Sequence, residues 1–351
     1  MKSDQSILCA LSGNGAVVAS QRCYCLKRNG HLLLALPKDR DLARVSLELY
    51  QPQSIRAKVA ITIVRLLVSL NLHIWMPHID IKAANESVFG KLLSGGCQLG
   101  FLLGNPDGSS RKVIVAQRDA GSYEVSKVGV GSAAKLSVNH EEKFVRSLRE
   151  VYTGVPHILE SSNTDAYSSY TTTYVSGRSP QHDDDPLVLG VLESWMRLSK
   201  PCNVSDTSIW ALMKKEAEAT GTSEFIDIVK QLEGLVIKQG LYHGDFAPWN
   251  IKISSGDEVH VMDWEFASLD GFAAWDWIHY LLQRAILVED QSEEEAIEVC
   301  RKWANTDRGR DFMNTAGWGH NIELCLGSYL LYSKILARFE HEDLLAEWMK
   351  Q

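Results

Sequence analysis

The spacing of apolar and polar positions changes several times along the chain, and each change marks an element. The runs SQRCYCLK and HLLLALP flank Arg28-Asn29-Gly30, which predicts a hairpin over residues 19–36. Helical spacing follows over 57–72 and is closed by Pro77. From Cys97, the stretch FLLGNPDGSSRKVIVAQ reads as strand, turn, strand, with Gly104 and Gly108 bracketing Asn105-Pro106-Asp107. A turn at Ala120-Gly121 leads into a third strand, SYEVSKVGV. A helix is expected over 134–152, with Phe144, Val145 and Leu148 on one face, until Thr153-Gly154-Val155-Pro156 breaks it. A strand over 170–175 ends at Ser176-Gly177. Helical periods then dominate, at 187–198, 208–218 and 224–240. A mixed passage over 241–270 interrupts them before helices return. Strands first and helices second predict an α+β fold with a small β-rich lobe and a mainly helical large lobe. The divisions expected are 1–92, an extension without nameable chemistry, then 93–177 and 178–351.

Composition sharpens this picture. With 351 residues and 45% hydrophobic content the chain has room for a sizeable core, which excludes wholesale disorder. The net charge of -8 argues against nucleic acid as a principal partner. Seven scattered cysteines suit reduced thiols better than a disulfide framework. Cys23 and Cys25 have no matching His or Cys cluster downstream and read as strand residues rather than half a metal site. The longest apolar stretch, 59–76, is interrupted by Arg65, Asn71 and His73. It reads as a buried helix, so no membrane span is expected. No signal peptide is evident, and the expected location is cytoplasmic.

The chemistry concentrates in the mixed passage, LYHGDFAPWNIKISSGDEVHVMDWEFA. His243, Asp245 and Asn250 stand at offsets of zero, two and seven, and Asp263 lies 13 residues beyond Asn250. WNIKIS and VHVMDW flank Ser255-Gly256-Asp257, so a hairpin is expected to fold Asp263 back beside Asn250. An amide oxygen and a carboxylate would then converge, as a hard octahedral Mg²⁺ requires. Asp245, a short loop away, would be free to meet a hydroxyl.

This pattern resembles the catalytic and metal-binding segments of the protein-kinase-like superfamily. Gly244 after His243, and Asp263-Trp264-Glu265, are similar to the aminoglycoside phosphotransferase and choline kinase branch. The resemblance implies a bilobal kinase-like fold and an ATP- and Mg²⁺-dependent phosphotransferase with a small-molecule hydroxyl as acceptor. In it Asp245 is the base, Asn250 and Asp263 are the metal ligands, and His243 braces the loop. Lys127, on the third strand, is the expected phosphate anchor, preferred to Lys112 and Lys135. Its partner is Glu141, which shares the face of Phe144, Val145 and Leu148, in preference to Glu142. Gly104, Gly108 and Ser109 would form the turn over the phosphates. Asp276, in Gly271-Phe272-Ala273-Ala274-Trp275-Asp276, would support the catalytic loop. Trp264, Trp275 and Trp277 read as core aromatics, and Asp183-Asp184-Asp185 as a solvated acidic loop. Glu265 stays open between substrate, second metal and salt bridge. The acceptor, the choice of ATP or GTP and the oligomeric state are not encoded legibly. An inert nucleotide-binding module and a protein kinase are the rival readings. The second is disfavoured because no Phe-Gly follows Asp263.

Overall fold

The computed structural model describes residues 4–52, 55–93, 96–104, 111–119, 121–336 and 342–350. The chain divides into two compact units, one of Met1–Arg149 with Pro156–Ser176 and one of Glu150–Val155 with Gly177–Gln351.

The first unit runs α1 (Asp4–Ser12), β1 (Val17–Arg28), β2 (His31–Leu36), α2 (Arg40–Leu47), α3 (Ile55–Ser69), β3 (His78–Ala84) and α4 (Val88–Leu92). It continues with β4 (Leu99–Leu103), β5 (Lys112–Asp119), β6 (Ser122–Val130), α5 (Ser132–Leu148), β7 (Ile158–Asn163) and β8 (Tyr167–Thr173). The eight strands form one antiparallel sheet in the order β3-β1-β2-β4-β5-β6-β8-β7. The hairpin expected over 19–36 is present as β1 and β2, turned at Asn29-Gly30. Their sheet runs across position 92 without a break, because β2 pairs with β4 through Leu34↔Leu102 and Ala35↔Phe101. Side chains alternate across the strands. Cys23, Cys25 and Ala35 enter a core with Leu11 of α1 and Phe89 of α4. Tyr24, Leu34 and Leu36 enter another with Leu47 of α2 and Ile61, Val64 and Val68 of α3. Burial pushes the Cys23 and Cys25 thiols up to about 12 and about 11, so they remain protonated packing groups.

One sequence expectation needs correction here. The apolar stretch 59–76 is not buried throughout. Only the Ile61, Val64 and Val68 face of α3 packs inward, while Val59, Ile63, Leu66 and Leu70 are exposed. An unbroken apolar run cannot tell from composition which of its faces finds a neighbour.

The second unit comprises α6 (Asp185–Leu198), β9 (Lys200–Asn203), α7 (Ser208–Thr220), α8 (Ser223–Leu232) and β10 (Val236–Tyr242). Then come β11 (Ile251–Ile253), β12 (Val259–Val261), β13 (Ser268–Phe272), α9 (Trp275–Gln283), α10 (Glu293–Ala304), α11 (Asp307–Ala316), α12 (Ile322–Ile335) and α13 (Glu342–Met349). It is the helical part of an α+β chain, as the sequence predicts. The helix expected over 224–240 stops at Leu232, however. Gly234 takes a left-handed φ of 83° and the chain re-enters as β10, paired on both sides by β9 and β13. Two strand partners, invisible locally, override the helical period of 235–240. Trp264, Trp275 and Trp277 are fully buried with Trp195, Tyr280 and Tyr329. Among the described residues no helix is long and apolar enough to cross a membrane.

Candidate functional site

The loop that carries His243 and Asp245 begins where β10 ends, with Leu241 and Tyr242 buried. Gly244 then takes φ 80°, a left-handed conformation that a side chain at this position would oppose. Phe246 and Ala247 are completely buried and pin the loop from beneath, Phe246 edge-on to Trp195 at 5.7 Å between ring centroids. Pro248 opens one turn of 3₁₀ helix that delivers Asn250 to the start of β11. β11 and β12 pair through Ile251↔Val261 and Ile253↔Val259, so the hairpin lies where the sequence expects it. The Met262 amide donates to the Asn250 carbonyl at 2.8 Å, which sets Asp263 one residue beyond Asn250 across the ribbon. Asp263 itself sits at φ 64°, in the left-handed region that Asp tolerates better than most residues.

The Asp245 carboxylate is held at both oxygens. Asn250 Nδ2 donates to Oδ2 at 2.9 Å and to the Asp245 carbonyl at 2.9 Å. His279 Nε2 lies 3.0 Å from Oδ1, while its Nδ1 lies 2.6 Å from the Tyr329 hydroxyl. A carboxylate accepts, so the Nε2–H of His279 donates to it. That leaves Nδ1 to accept from Tyr329. His279 at the centre of this relay and Tyr329 at its far end are fully buried, and Asp245 at its near end is partly exposed.

His243 is a brace by the same reasoning. Its Nε2 lies 3.0 Å from the Met262 carbonyl and its Nδ1 accepts from the Asp245 amide at 3.3 Å, which fixes one neutral tautomer. Complete burial lowers its pKa to about 4, with the nearby Asp245 and Asp263 charges opposing that fall. The folded pKa lies below the usual 6.5, so this group contributes stability above pH 6.5 and loses it as the pH falls towards 4. The expected slope is at most about 1.4 kcal/mol per pH unit over that window. Nine of the ten tryptophans belong to the second unit, so urea unfolding followed by tryptophan fluorescence reads it. The midpoint should fall between pH 7 and pH 5, and His243→Gln should flatten that part of the slope. An identical pH dependence in the variant would contradict the assignment.

Asp276, in the first turn of α9, accepts from the His243 amide at 2.8 Å and the Gly244 amide at 3.1 Å. Gly177 approaches this ribbon closely. Arg178 bridges Ile253, and a Cβ at Gly177 would stand 2.6 Å from the Ile253 carbonyl oxygen.

In the first unit Lys127 Nζ donates to both Glu141 carboxylate oxygens, at 2.9 and 2.7 Å, and both residues are buried. Glu142 instead pairs with Arg146 one turn along α5. Lys135 donates to the Asp165 carbonyl. Gly104 closes the end of its hairpin, donating to the Lys112 carbonyl at 2.9 Å. Gly108 and Ser109 lie outside the described residues.

Two sequence readings change. The acidic run 183–185 is not simply solvated: Asp184 is buried against Arg178, and Asp185, the first residue of α6, pairs with Arg284 just beyond α9. His279 and Tyr329 went unread. The available signal was positional, since His279 follows Asp276 by three residues and so shares its helix face. Tyr329, 50 residues further on in α12, carries no such signal.

No family model matches the sequence, and no curated protein matches it. Among solved structures the chain is similar to a thermostable mutant of aminoglycoside phosphotransferase APH(4)-Ia in apo form. The identity is 13%, with 71% of this chain and 92% of that one covered, at a TM-score of 0.47. It is similar to an ethanolamine kinase of Plasmodium vivax at 12% identity, covering 75% and 83%, with a TM-score of 0.43. A choline kinase of Cryptosporidium parvum Iowa II follows at 10% identity, covering 72% and 87%, with a TM-score of 0.40. At these identities a functional reading has to stand on the chain's own distances.

Proposed function

We propose that the chain is a phosphotransferase that moves the γ-phosphoryl group of ATP to a hydroxyl of a small molecule, with Asp245 as the base. The observation that carries this reading is the clamp on Asp245. His279 and Asn250 fix both carboxylate oxygens by donation, so the group is oriented while remaining partly exposed. An acceptor hydroxyl that donates to this carboxylate loses its proton to it as the O–P bond forms. The ADP oxygen leaves as the bond to the γ-phosphorus breaks. Such general-base assistance is worth about 10²–10⁴-fold.

The donor set suits Mg²⁺. Both hydrogens of the Asn250 amide nitrogen are spent on Asp245, which leaves the amide oxygen as its ligating atom. Together with the Asp263 carboxylate this offers two hard oxygens, and Mg²⁺ completes its shell with phosphate oxygens and water. When bound, Mg²⁺ supplies charge neutralisation for the β and γ phosphates. Lys127, oriented by Glu141, is assigned to the nucleotide's phosphates, and Gly104 to the turn beside them. Asp276 serves as the support of the loop.

Titration with ATP should raise the melting temperature, more strongly with Mg²⁺ present. The Mg²⁺-dependent part should disappear in Asp263→Ala. An ADP-coupled screen across aminoglycosides, choline, amino acids and sugars then identifies the acceptor. A chain that neither shifts with ATP and Mg²⁺ nor releases ADP with any acceptor would sink the proposal.

A further inference from the structure

The outward face of α3 has no role in the chemistry above, yet it carries a run of exposed aliphatic side chains. Val59, Ile63, Leu66 and Leu70 recur at spacings of four, three and four. They form one stripe, each more than half exposed, opposite the buried Ile61, Val64 and Val68. Leu72 and Trp75 follow in the succeeding turn, and Trp75 is 82% exposed. The charged residues of α3 are Arg56, Lys58 and Arg65, all basic and all exposed, and its sequence contains no acid. On a chain of net charge -8 this is a local reversal of sign laid along an apolar stripe.

We infer that α3 is a docking face for an anionic lipid bilayer, lying in the plane of the headgroups with the Val59-Ile63-Leu66-Leu70 stripe inserted. A helix of this length spans about 22 Å. Its exposed aliphatic stripe can enter the headgroup boundary, and flanking Lys and Arg add electrostatic attraction to anionic headgroups. An exposed Trp beside such a helix suits the headgroup boundary, where one ring edge is apolar and the other wet. Charge also decides against a second copy as the occupant. Two such helices face to face would bring Arg56, Lys58 and Arg65 against their own kind, with no acid on the helix to answer them.

Vesicle flotation tests this with the full chain. It should float with phosphatidylcholine vesicles containing about one third phosphatidylserine and should stay behind with phosphatidylcholine alone. High salt should release it, since the basic flank is screened. The double variant I63E/L66E should lose flotation, and Arg65→Gln should weaken partitioning about fivefold. Both changes sit at exposed positions, so circular dichroism should match the parent. Equal binding to neutral and anionic vesicles would overturn the inference, as would binding to neither. A concentration-dependent dimer in sedimentation velocity that I63E/L66E splits would also overturn it, assigning the face to self-association. None of these readouts depends on phosphoryl transfer, so the inference stands or falls apart from the proposed reaction.

Discussion

Replacing Asp245 by Asn is expected to cut transfer to any hydroxyl acceptor by about 10²–10⁴-fold while leaving nucleotide binding in place. The carboxylate is the group on this loop that is at once oriented from both sides and partly open. An amide is nearly isosteric, so the fold should survive. It cannot take the hydroxyl proton, however, and one of its oxygens becomes an N–H donor facing either His279 or Asn250. The change should therefore appear in kcat, measured by coupled ADP release at saturating acceptor, with the thermal shift by ATP and Mg²⁺ retained. Unaltered turnover would remove Asp245 from the mechanism. Loss of the nucleotide shift together with activity would instead mean that the loop had come apart.

The largest effect on stability is expected at Asp276. Its carboxylate accepts two backbone N–H groups from His243 and Gly244, both in buried surroundings. Asp276→Ala leaves both donors without that partner, at about 1–3 kcal/mol for each orphaned group, so a loss on the order of 3 kcal/mol is expected. Asp276→Asn, whose amide oxygen still accepts, should lose less. The measurement is the urea midpoint of the second unit by tryptophan fluorescence, with an unchanged m-value showing that stability and not compactness moved. An alanine variant as stable as the parent would mean that the loop holds its shape without α9.

How much of this was readable in advance depends on whether the information was local. The β1–β2 hairpin was legible because Asn29 and Gly30 both adopt positive φ, the conformation a tight two-residue connection demands. The β11–β12 ribbon was legible because alternation and a Ser-Gly-Asp turn specify it within a dozen residues. Residues 235–240 misread as helix because β10 exists by virtue of β9 and β13, which lie about 30 residues away on either side. The acidic run at 183–185 misread as solvated because Arg284, the partner of Asp185, lies 99 residues further on.

The amino-acid order by itself determined the alternation of strand and helix, the turn chemistry, and the set of carboxylate, amide and imidazole groups near residues 243–263. These follow from periods of two and 3.6 residues and from the conformational freedom of glycine and asparagine, which neighbours in sequence are enough to express. Only the tertiary structure decided that Lys127 bonds Glu141 while Glu142 turns to Arg146. It also decided that His279 and Tyr329 stand behind Asp245, and that one apolar face of α3 is left to water. Apart from Glu142 and Arg146, one turn apart on α5, these are choices among groups remote in sequence. Hydrogen-bond geometry and burial settle such choices only once the backbone has brought the candidates within reach.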